Sequence, residues 1–210
     1  MSPAATLATV LLAYLPAAVS PGPNFVLIAH TAATGTRRAA VAIALGVVAA
    51  GGLLAAVAVF GLGGVLARTP WLATALRVVC GAYLAWLGVR LWWRARAPDD
   101  PAAPPDRAAA TPGGPGVFFR RGVLSNLTNP KAAAFFGSVL TATLPPTEPT
   151  AVKAAAVALI VAASAAWHLS VALLFSSPAT QRWYARAKPA LNRVVGTILV
   201  ILGVTLAVTP

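Results

Sequence analysis

Long apolar stretches take up most of this 210-residue chain, and they constrain its fold more than any other feature. A membrane-spanning helix needs about 20 consecutive, mostly apolar residues. Six stretches meet that requirement: residues 5–30, 40–66, 71–93, 117–142, 152–176 and 190–209. Only 10% of the residues are charged, whereas a soluble domain carries about 25%. The sequence therefore predicts an all-α integral membrane protein with about six transmembrane helices.

The basic residues predict how these helices are oriented. The chain carries 16 Lys and Arg against 4 Asp and Glu, a formal net charge of +12. Most of the basic residues fall on or beside the connections after the first, third and fifth predicted helices: Arg37, Arg38, Arg90, Arg94, Arg96, Arg107, Arg120, Arg121, Arg182, Arg186, Lys188 and Arg193. Basic loops stay on the cytoplasmic side, so we expect both termini to lie outside. Because these residues do not alternate with aromatic residues on a polar face, the expected partner is the lipid bilayer and not nucleic acid.

One segment has the composition of a linker. Residues 97–116 hold six prolines and three aspartates, and such a segment cannot bury enough apolar surface to fold. We expect it to be a mobile cytoplasmic loop. It separates a first three-helix half, residues 1–96, from a second three-helix half, residues 117–210.

The third and sixth predicted helices share a motif. Gly81-Ala-Tyr-Leu-Ala-Trp-Leu-Gly88-Val-Arg-Leu91 and Gly196-Thr-Ile-Leu-Val-Ile-Leu-Gly203-Val-Thr-Leu206 are identical at six of eleven positions. Chance similarity between apolar helices is the alternative to a duplication. Since each half holds three helices, a duplicated second half enters the membrane in the opposite orientation. The prediction is two inverted three-helix repeats, which are a structural basis for alternating access in transporters.

The first predicted helix contains a run of helix breakers, Ser20-Pro21-Gly22-Pro23-Asn24. Proline lacks a backbone N–H and clashes with the preceding turn, and glycine adds freedom, so we expect a kink or a break. Deep in a membrane, a break is tolerated only where it is buried in protein or lines a cavity. We therefore predict that Pro21, Gly22, Pro23 and Asn24 take part in binding a solute. A kink that serves only packing is the alternative.

The fourth predicted helix carries a second polar cluster, with Asn126, Asn129, Pro130 and Lys131 ahead of an apolar run. A lysine inside a span costs at least ~2.5 kcal/mol unless it faces a cavity or finds partners. These four residues are therefore predicted to bind the solute together with the first cluster. Alternatively, Lys131 lies near the inner interface and extends its ammonium to the headgroups.

Four motifs together resemble one known family. They are Ser-Pro-Gly-Pro-Asn at 20–24, Gly35-Thr-Arg-Arg, Gly81…Tyr83-Leu…Leu87-Gly88 and Asn126-Leu-Thr-Asn-Pro-Lys131. Their order and spacing resemble the LysE/RhtB-type (lysine exporter and homoserine–threonine resistance) family of amino-acid exporters over nearly the whole chain. Phe136-Gly137-Ser138-Val139 and Ala166-Trp167 look most like its threonine-efflux branch. The resemblance implies efflux of amino acids from the cytoplasm across the bacterial inner membrane, coupled to the proton gradient.

The chain departs from this family's pattern at Asn24, where many relatives carry an acidic residue. No Asp or Glu lies in any predicted span, so a membrane carboxylate is not expected to carry the proton. His168, near the middle of the fifth predicted helix, is the candidate for that role because imidazole titrates near neutrality; a neutral packing role is an equally good interpretation. Without an acidic partner for a cationic side chain, we expect a neutral or small polar substrate such as threonine or homoserine.

The same residues argue against other classes of protein. Two histidines, His30 and His168, and the single Cys80 offer neither a nucleophile with a base nor a metal-ligand cluster. We therefore expect no enzyme, no metal and no cofactor. An exporter of another small solute or ion, a carrier working in the opposite direction and a membrane protein that does not transport are the alternatives. A homo-oligomer is compatible with the sequence.

Overall fold

A computed structural model describes residues 2–94, 113–144 and 147–208, and the regular elements in them are helical. The first half holds α1 (Pro3–Val19), α2 (Pro23–Thr34), α3 (Arg37–Ala56), a π-helical segment π1 (Val57–Leu62), α4 (Gly63–Arg68) and α5 (Pro70–Arg94). The second half holds α6 (Pro115–Leu127), α7 (Pro130–Ala134), π2 (Phe135–Val139), α8 (Leu140–Thr143), α9 (Thr150–Leu174) and α10 (Pro178–Val208). The prediction of an all-α chain is confirmed for these residues.

Four helical stretches are long and apolar enough to cross a membrane: Arg37–Leu66, Pro70–Trp93, Thr150–Leu174 and Pro178–Val208. The pair α1 and α2 makes a fifth if it is counted as one span, bent by 54° at its break. The predicted fourth helix, residues 117–142, is interrupted at Thr128 and Asn129 and does not meet the same test. The described residues thus contain four to five candidate spans, where the sequence predicted about six.

Local sequence explains where these helices begin and end. α1 ends at Val19 because Pro21 lacks the N–H that would continue the helix. Pro23 begins α2, at a position where a helix leaves its N–H unpaired in any case. α3 begins after Thr36, whose hydroxyl accepts a hydrogen bond of 3.2 Å from the Ala39 N–H. The predicted break in the first helix is confirmed.

The last helix is longer than the sequence indicated. α10 begins at Pro178, whereas the sixth helix was predicted to begin at residue 190. The additional turns carry Arg182, Arg186 and Lys188. These residues are good helix formers, but they are charged, so the apolar stretch used for the prediction began only after them. The predicted linker, residues 97–116, lies outside the described residues except for its last four, and α6 already begins within them at Pro115.

The helices α5 and α10 pack side by side and approach most closely at four glycines. A Cβ atom placed on Gly81 would lie 2.6 Å from the Gly203 carbonyl oxygen, and one on Gly203 would lie 2.5 Å from the Gly81 carbonyl oxygen. Gly88 and Gly196 have the same reciprocal relationship, at 2.5 and 2.7 Å. A side chain at any of these positions would push the backbones apart, so the glycines shared by the two motifs allow a close antiparallel contact.

Two clusters of buried apolar side chains make up the core. The larger includes Leu84 and Leu140, and the smaller includes Ile28 and Ile43; all four side chains are fully buried. Residues of both clusters line one polar cavity. The cavity therefore lies where the two clusters meet.

Candidate functional site

The two interrupted helices open onto the same cavity. Its volume is about 40 Å³, which is room for about three water molecules. Its walls come from both halves of the chain: Tyr14, Ala17, Ala18, Ser20, Asn24, Phe25, Val47, Gly51, Asn126, Asn129, Lys131, Ala132, Phe135, Phe136, Ser164 and His168. Two polar clusters that are far apart in the sequence thus form one site.

The break between α1 and α2 presents backbone groups of opposite polarity. α1 ends at Val19, so its last carbonyls have no N–H partner in a following turn. α2 begins after Gly22, which has no side chain to cap the first amides of the helix. Free carbonyls at a helix end attract cations, and free amides at a helix start attract anions. The break can therefore hold both ends of a zwitterion.

Lys131 connects the two interrupted helices. Its ammonium donates to the Ser20 hydroxyl at 2.7 Å and to the Ser20 main-chain carbonyl at 3.0 Å. The Ser20 hydroxyl in turn donates to the Ala17 carbonyl at 3.1 Å. The cation lies at the carbonyl end of α1, where the helix dipole favours positive charge. The structure thus places the ammonium between the two interrupted helices, at the wall of the cavity.

Asn129 positions the backbone of Lys131. Its side-chain oxygen accepts a hydrogen bond of 3.0 Å from the Lys131 N–H and so caps α7, while Pro130 takes the first helical position. The sequence Asn-Pro-Lys is therefore a helix start. It fixes the backbone of Lys131 next to the break in the first half.

A chain of hydrogen bonds links the two halves beside the lysine. The Ser125 hydroxyl donates to Asn24 Oδ1 at 2.7 Å, and Asn24 Nδ2 donates to Asn126 Oδ1 at 2.9 Å. Asn126 Nδ2 donates to the Val47 carbonyl at 2.9 Å. Asn24 and Asn126 are buried. Because a carboxamide nitrogen carries two hydrogens, each asparagine has a second one to offer to a solute.

His168 lies on α9 at the wall of the cavity and is buried. Its Nδ1 atom is 2.9 Å from the Ser164 main-chain carbonyl. The Ser164 hydroxyl oxygen is 3.2 Å from the same nitrogen. A carbonyl oxygen can only accept a hydrogen bond, so the shorter contact favours the tautomer that carries its hydrogen on Nδ1. In the neutral ring, Nε2 is then free of hydrogen and can accept a proton or a hydrogen bond.

The structure brings together most of the predicted site. Four of the predicted binding residues and the candidate proton carrier line the cavity: Asn24, Asn126, Asn129, Lys131 and His168. Gly22 lies beside them, since a Cβ there would be 3.0 Å from the lysine Nζ. The three predicted prolines are not among the lining residues, and they shape the site through the helix ends that they set: Pro21, Pro23 and Pro130.

The sequence did not predict one aromatic wall of the cavity, although Phe136 belongs to a motif that resembles the threonine-efflux branch. Tyr14 packs edge to face on Phe135 with ring centroids 5.4 Å apart, and Phe135 packs in the same way on Phe136 at 5.2 Å. Phe135 and Phe136 begin π2, and π-helical turns inside α-helices occur often at functional sites. In so apolar a chain, no local pattern distinguishes an aromatic residue of this wall from one that faces lipid.

A second aromatic cluster reaches the cavity through Phe25. Phe25, which lines the cavity, packs on Trp167, Phe175 and Tyr184 with centroid distances of 6.3, 5.4 and 5.0 Å. These three partners come from α9, its C-terminal cap and α10. The only signal in the sequence was the Ala166-Trp167 pair.

The chain matches known proteins over nearly its whole length. The sequence model of the LysE type translocator family matches residues 15–209. The threonine efflux protein of Escherichia coli strain K12 is 30% identical over 201 residues, covering 96% of this chain and 97% of that protein. The threonine efflux protein of Salmonella typhi is 31% identical over the same shares. The uncharacterized membrane protein YahN of Escherichia coli strain K12 is 32% identical over 188 residues, 89% of this chain and 82% of that protein. No solved structure matches the chain.

Proposed function

The chain belongs to the LysE type translocator family, as its motifs predicted, and we propose that it exports neutral or small polar amino acids, threonine and homoserine foremost, across the bacterial inner membrane. Family membership makes it a membrane transporter and not an enzyme. The observation that carries the proposed substrate class is the cavity. A lysine ammonium, three carboxamides and two opposed helix ends meet there, and the residues that line it in the described part of the chain include no carboxylate.

The proposed binding mode is an exchange of partners at Ser20. The α-carboxylate of the substrate takes hydrogen bonds from Lys131 and from the free amides at the start of α2. The α-ammonium takes the place that the lysine ammonium holds, 3.0 Å from the Ser20 carbonyl. The Lys131 ammonium then pairs with the substrate carboxylate, and the substrate ammonium pairs with the Ser20 carbonyl, so no buried charge is left unpaired.

The rest of the cavity favours an uncharged side chain. The second amide hydrogens of Asn24 and Asn126 and the free Nε2 of His168 suit a hydroxyl group, which both donates and accepts. A lysine or arginine substrate would bring a second cation close to Lys131. Like charges in a poorly hydrated site repel strongly, so the binding of basic amino acids is disfavoured.

Binding requires the helices around the cavity to move. A cavity of about 40 Å³ is too small for an amino acid. The two aromatic clusters are placed to act as gates, because each packs against one wall. In the orientation predicted from the basic loops, with both termini outside, Tyr14 and Phe135 belong to the outer gate and Phe25 and Tyr184 to the inner gate.

The glycine contacts support the inverted repeat on which this cycle depends. If the motif of α5 corresponds to that of α10, Gly81 is the equivalent of Gly196 and Gly88 the equivalent of Gly203. The contact Gly81–Gly203 then maps onto the contact Gly196–Gly88, which is the other contact observed. A two-fold axis between inverted halves produces such self-mapping contacts. We propose that α6 to α8 form the sixth span, as the counterpart of the broken pair α1 and α2.

Proton coupling is assigned to His168. It lines the cavity, and its Nε2 can take up a proton when the cavity faces the outside and release it to the cytoplasm after the substrate has left. The substrate and the proton then cross in opposite directions in alternate states of one site.

The deciding experiment measures export from cells loaded with dipeptides that contain threonine, homoserine or leucine. The chain should speed the appearance of threonine or homoserine outside, and Asn129→Ala should abolish the gain because it removes the cap that holds Lys131. Thr36→Ala is the matched control, since it removes a similar cap from α3 without touching the cavity. Correctly inserted wild-type protein that exports none of the three amino acids would refute the proposal.

A further inference from the structure

A second groove lies on the exposed surface of the paired helices α5 and α10. It shares no lining residue with the polar cavity. Its volume is about 270 Å³, and it is lined by Val89, Trp92, Trp93, Thr197, Val200 and Ile201. Trp93 is 67% exposed and Ile201 is 60% exposed, so the groove faces away from the helix bundle. Its lining is almost wholly apolar, which suits a hydrocarbon chain and not a water-soluble solute.

The shape of the groove is fixed by contacts beneath it. Gly88 and Gly196 hold the two backbones close together. The indole Nε1 of Trp92 lies 3.0 Å from both the Arg193 carbonyl and the Thr197 hydroxyl, and so ties α5 to α10 along the groove. A preformed groove loses little conformational entropy when it is occupied.

Two exposed arginines are close neighbours of groove-lining residues along their helices, and neither lines the groove itself. Arg90 follows Val89 on α5, and its guanidinium lies 5.3 Å from the centre of the Trp86 ring. Arg193 is one helical turn before Thr197 on α10, and both arginine side chains are exposed. On the predicted orientation, the arginines lie toward the cytoplasmic side of the membrane. An occupant that combines an apolar chain with an anionic head matches both features.

We propose that this groove binds an anionic phospholipid of the cytoplasmic leaflet, with an acyl chain against Val200 and Ile201 and the headgroup phosphate at Arg90 and Arg193. Basic surfaces between transmembrane helices on the cytoplasmic side are suited to such headgroups. This site is separate from the amino-acid cavity, and it does not depend on which solute the protein exports.

The charges argue against a second copy of the chain as the occupant. A two-fold contact across the groove would bring the arginines of both copies together. The one carboxylate in the described part of the chain, Glu148, accepts a hydrogen bond of 3.1 Å from Thr6 on α1 and does not line the groove. The described residues of a second copy thus bring no carboxylate to this surface, whereas a lipid phosphate brings a negative charge.

The test is native mass spectrometry of the purified, full-length protein in detergent, titrated with phosphatidylglycerol or phosphatidylcholine. We expect selective retention of phosphatidylglycerol. The double variant Arg90→Gln/Arg193→Gln should bind it about 30-fold more weakly, since each basic side chain contributes about fivefold at a membrane surface. The matched control Arg37→Gln/Arg38→Gln removes the same charge from another loop of the same predicted side and should bind as the wild type does.

A second variant tests the apolar part of the site. Ile201→Trp fills the groove from an exposed position without a change of charge, so it should lower phosphatidylglycerol retention and leave the protein folded. Equal retention of the two lipids, or unchanged retention in the double arginine variant, would overturn the proposal. It would also be overturned if inorganic phosphate alone displaced the lipid, or if Ile201→Trp dissociated a dimer. None of these readouts depends on amino-acid export.

Discussion

The ammonium of Lys131, in the second half of the chain, lies 3.0 Å from the main-chain carbonyl of Ser20, where α1 ends in the first half. This bond and the bond of 2.7 Å from the same ammonium to the Ser20 hydroxyl join the two helix breaks across the cavity. Opening the cavity requires these bonds to lengthen or to exchange their partners. Substrate binding and the movement of the two halves are therefore expected to be coupled through this pair.

Replacement of Lys131 by Gln should lower the initial rate of threonine efflux by about 10- to 100-fold. Gln can still donate to Ser20, but it does not supply the charge that the substrate carboxylate needs, and a hydrogen bond to a charged group contributes about 1.5–3 kcal/mol. Initial rates from reconstituted vesicles measure the effect. Lys153→Gln, at the start of α9 and outside the cavity, is the control. Equal rates for the two variants would remove Lys131 from the transport path.

The change Asn24→Asp should shift selectivity toward basic amino acids. It places a carboxylate in the cavity wall, where a cationic side chain can pair with it. It also removes the donor of the 2.9 Å bond to Asn126, so threonine efflux should fall. The measurement is competition by lysine and arginine against labelled threonine. If neither competitor gains potency in the variant, the uncharged wall is not what selects the substrate.

The change His168→Gln should separate transport from its driving force. Gln retains a donor that can reach the Ser164 carbonyl, but it does not take up a proton. Exchange of threonine between the two sides should persist, whereas stimulation of net efflux by an inward proton gradient should disappear. Both rates are measured in the same vesicles with and without a pH step. A variant that still responds to the gradient would show that another group carries the proton.

The change Gly203→Ala should destabilise the pair α5 and α10. Its Cβ would lie 2.5 Å from the Gly81 carbonyl oxygen and 2.6 Å from the Ala85 nitrogen, both backbone atoms that cannot turn aside. Overpacking of this kind costs about 1–3 kcal/mol, so the melting temperature in detergent should fall by several degrees. Gly64→Ala is the control, because a Cβ there meets nothing within 4 Å. Equal melting temperatures for Gly203→Ala and Gly64→Ala would mean that moving α5 and α10 apart does not destabilise the protein.

Hydrophobicity and helix-breaking residues were enough to predict much of this protein. In a membrane, a backbone without water must pair its own polar groups, so long apolar stretches become helices whatever their neighbours are. Proline lacks a backbone N–H wherever it lies in the membrane, so it interrupts a helix. For this reason Ser20-Pro21-Gly22 predicted the first break, and Asn129-Pro130 marks the second. The length of α10 was underestimated because Arg182 and Arg186 interrupt an apolar run without interrupting a helix.

Only the tertiary structure decided which side chains meet. The pairing of Lys131 with Ser20 and of Asn24 with Asn126 joins residues from opposite halves of the chain, and no local rule sets such long-range neighbours. The aromatic walls depend on the packing of helices in the same way. In a chain where most residues are apolar, sequence pattern does not distinguish a surface-exposed Trp93 from a cavity-lining Phe135. The sequence determined the helices and where they break; the contacts between the two halves determined the site.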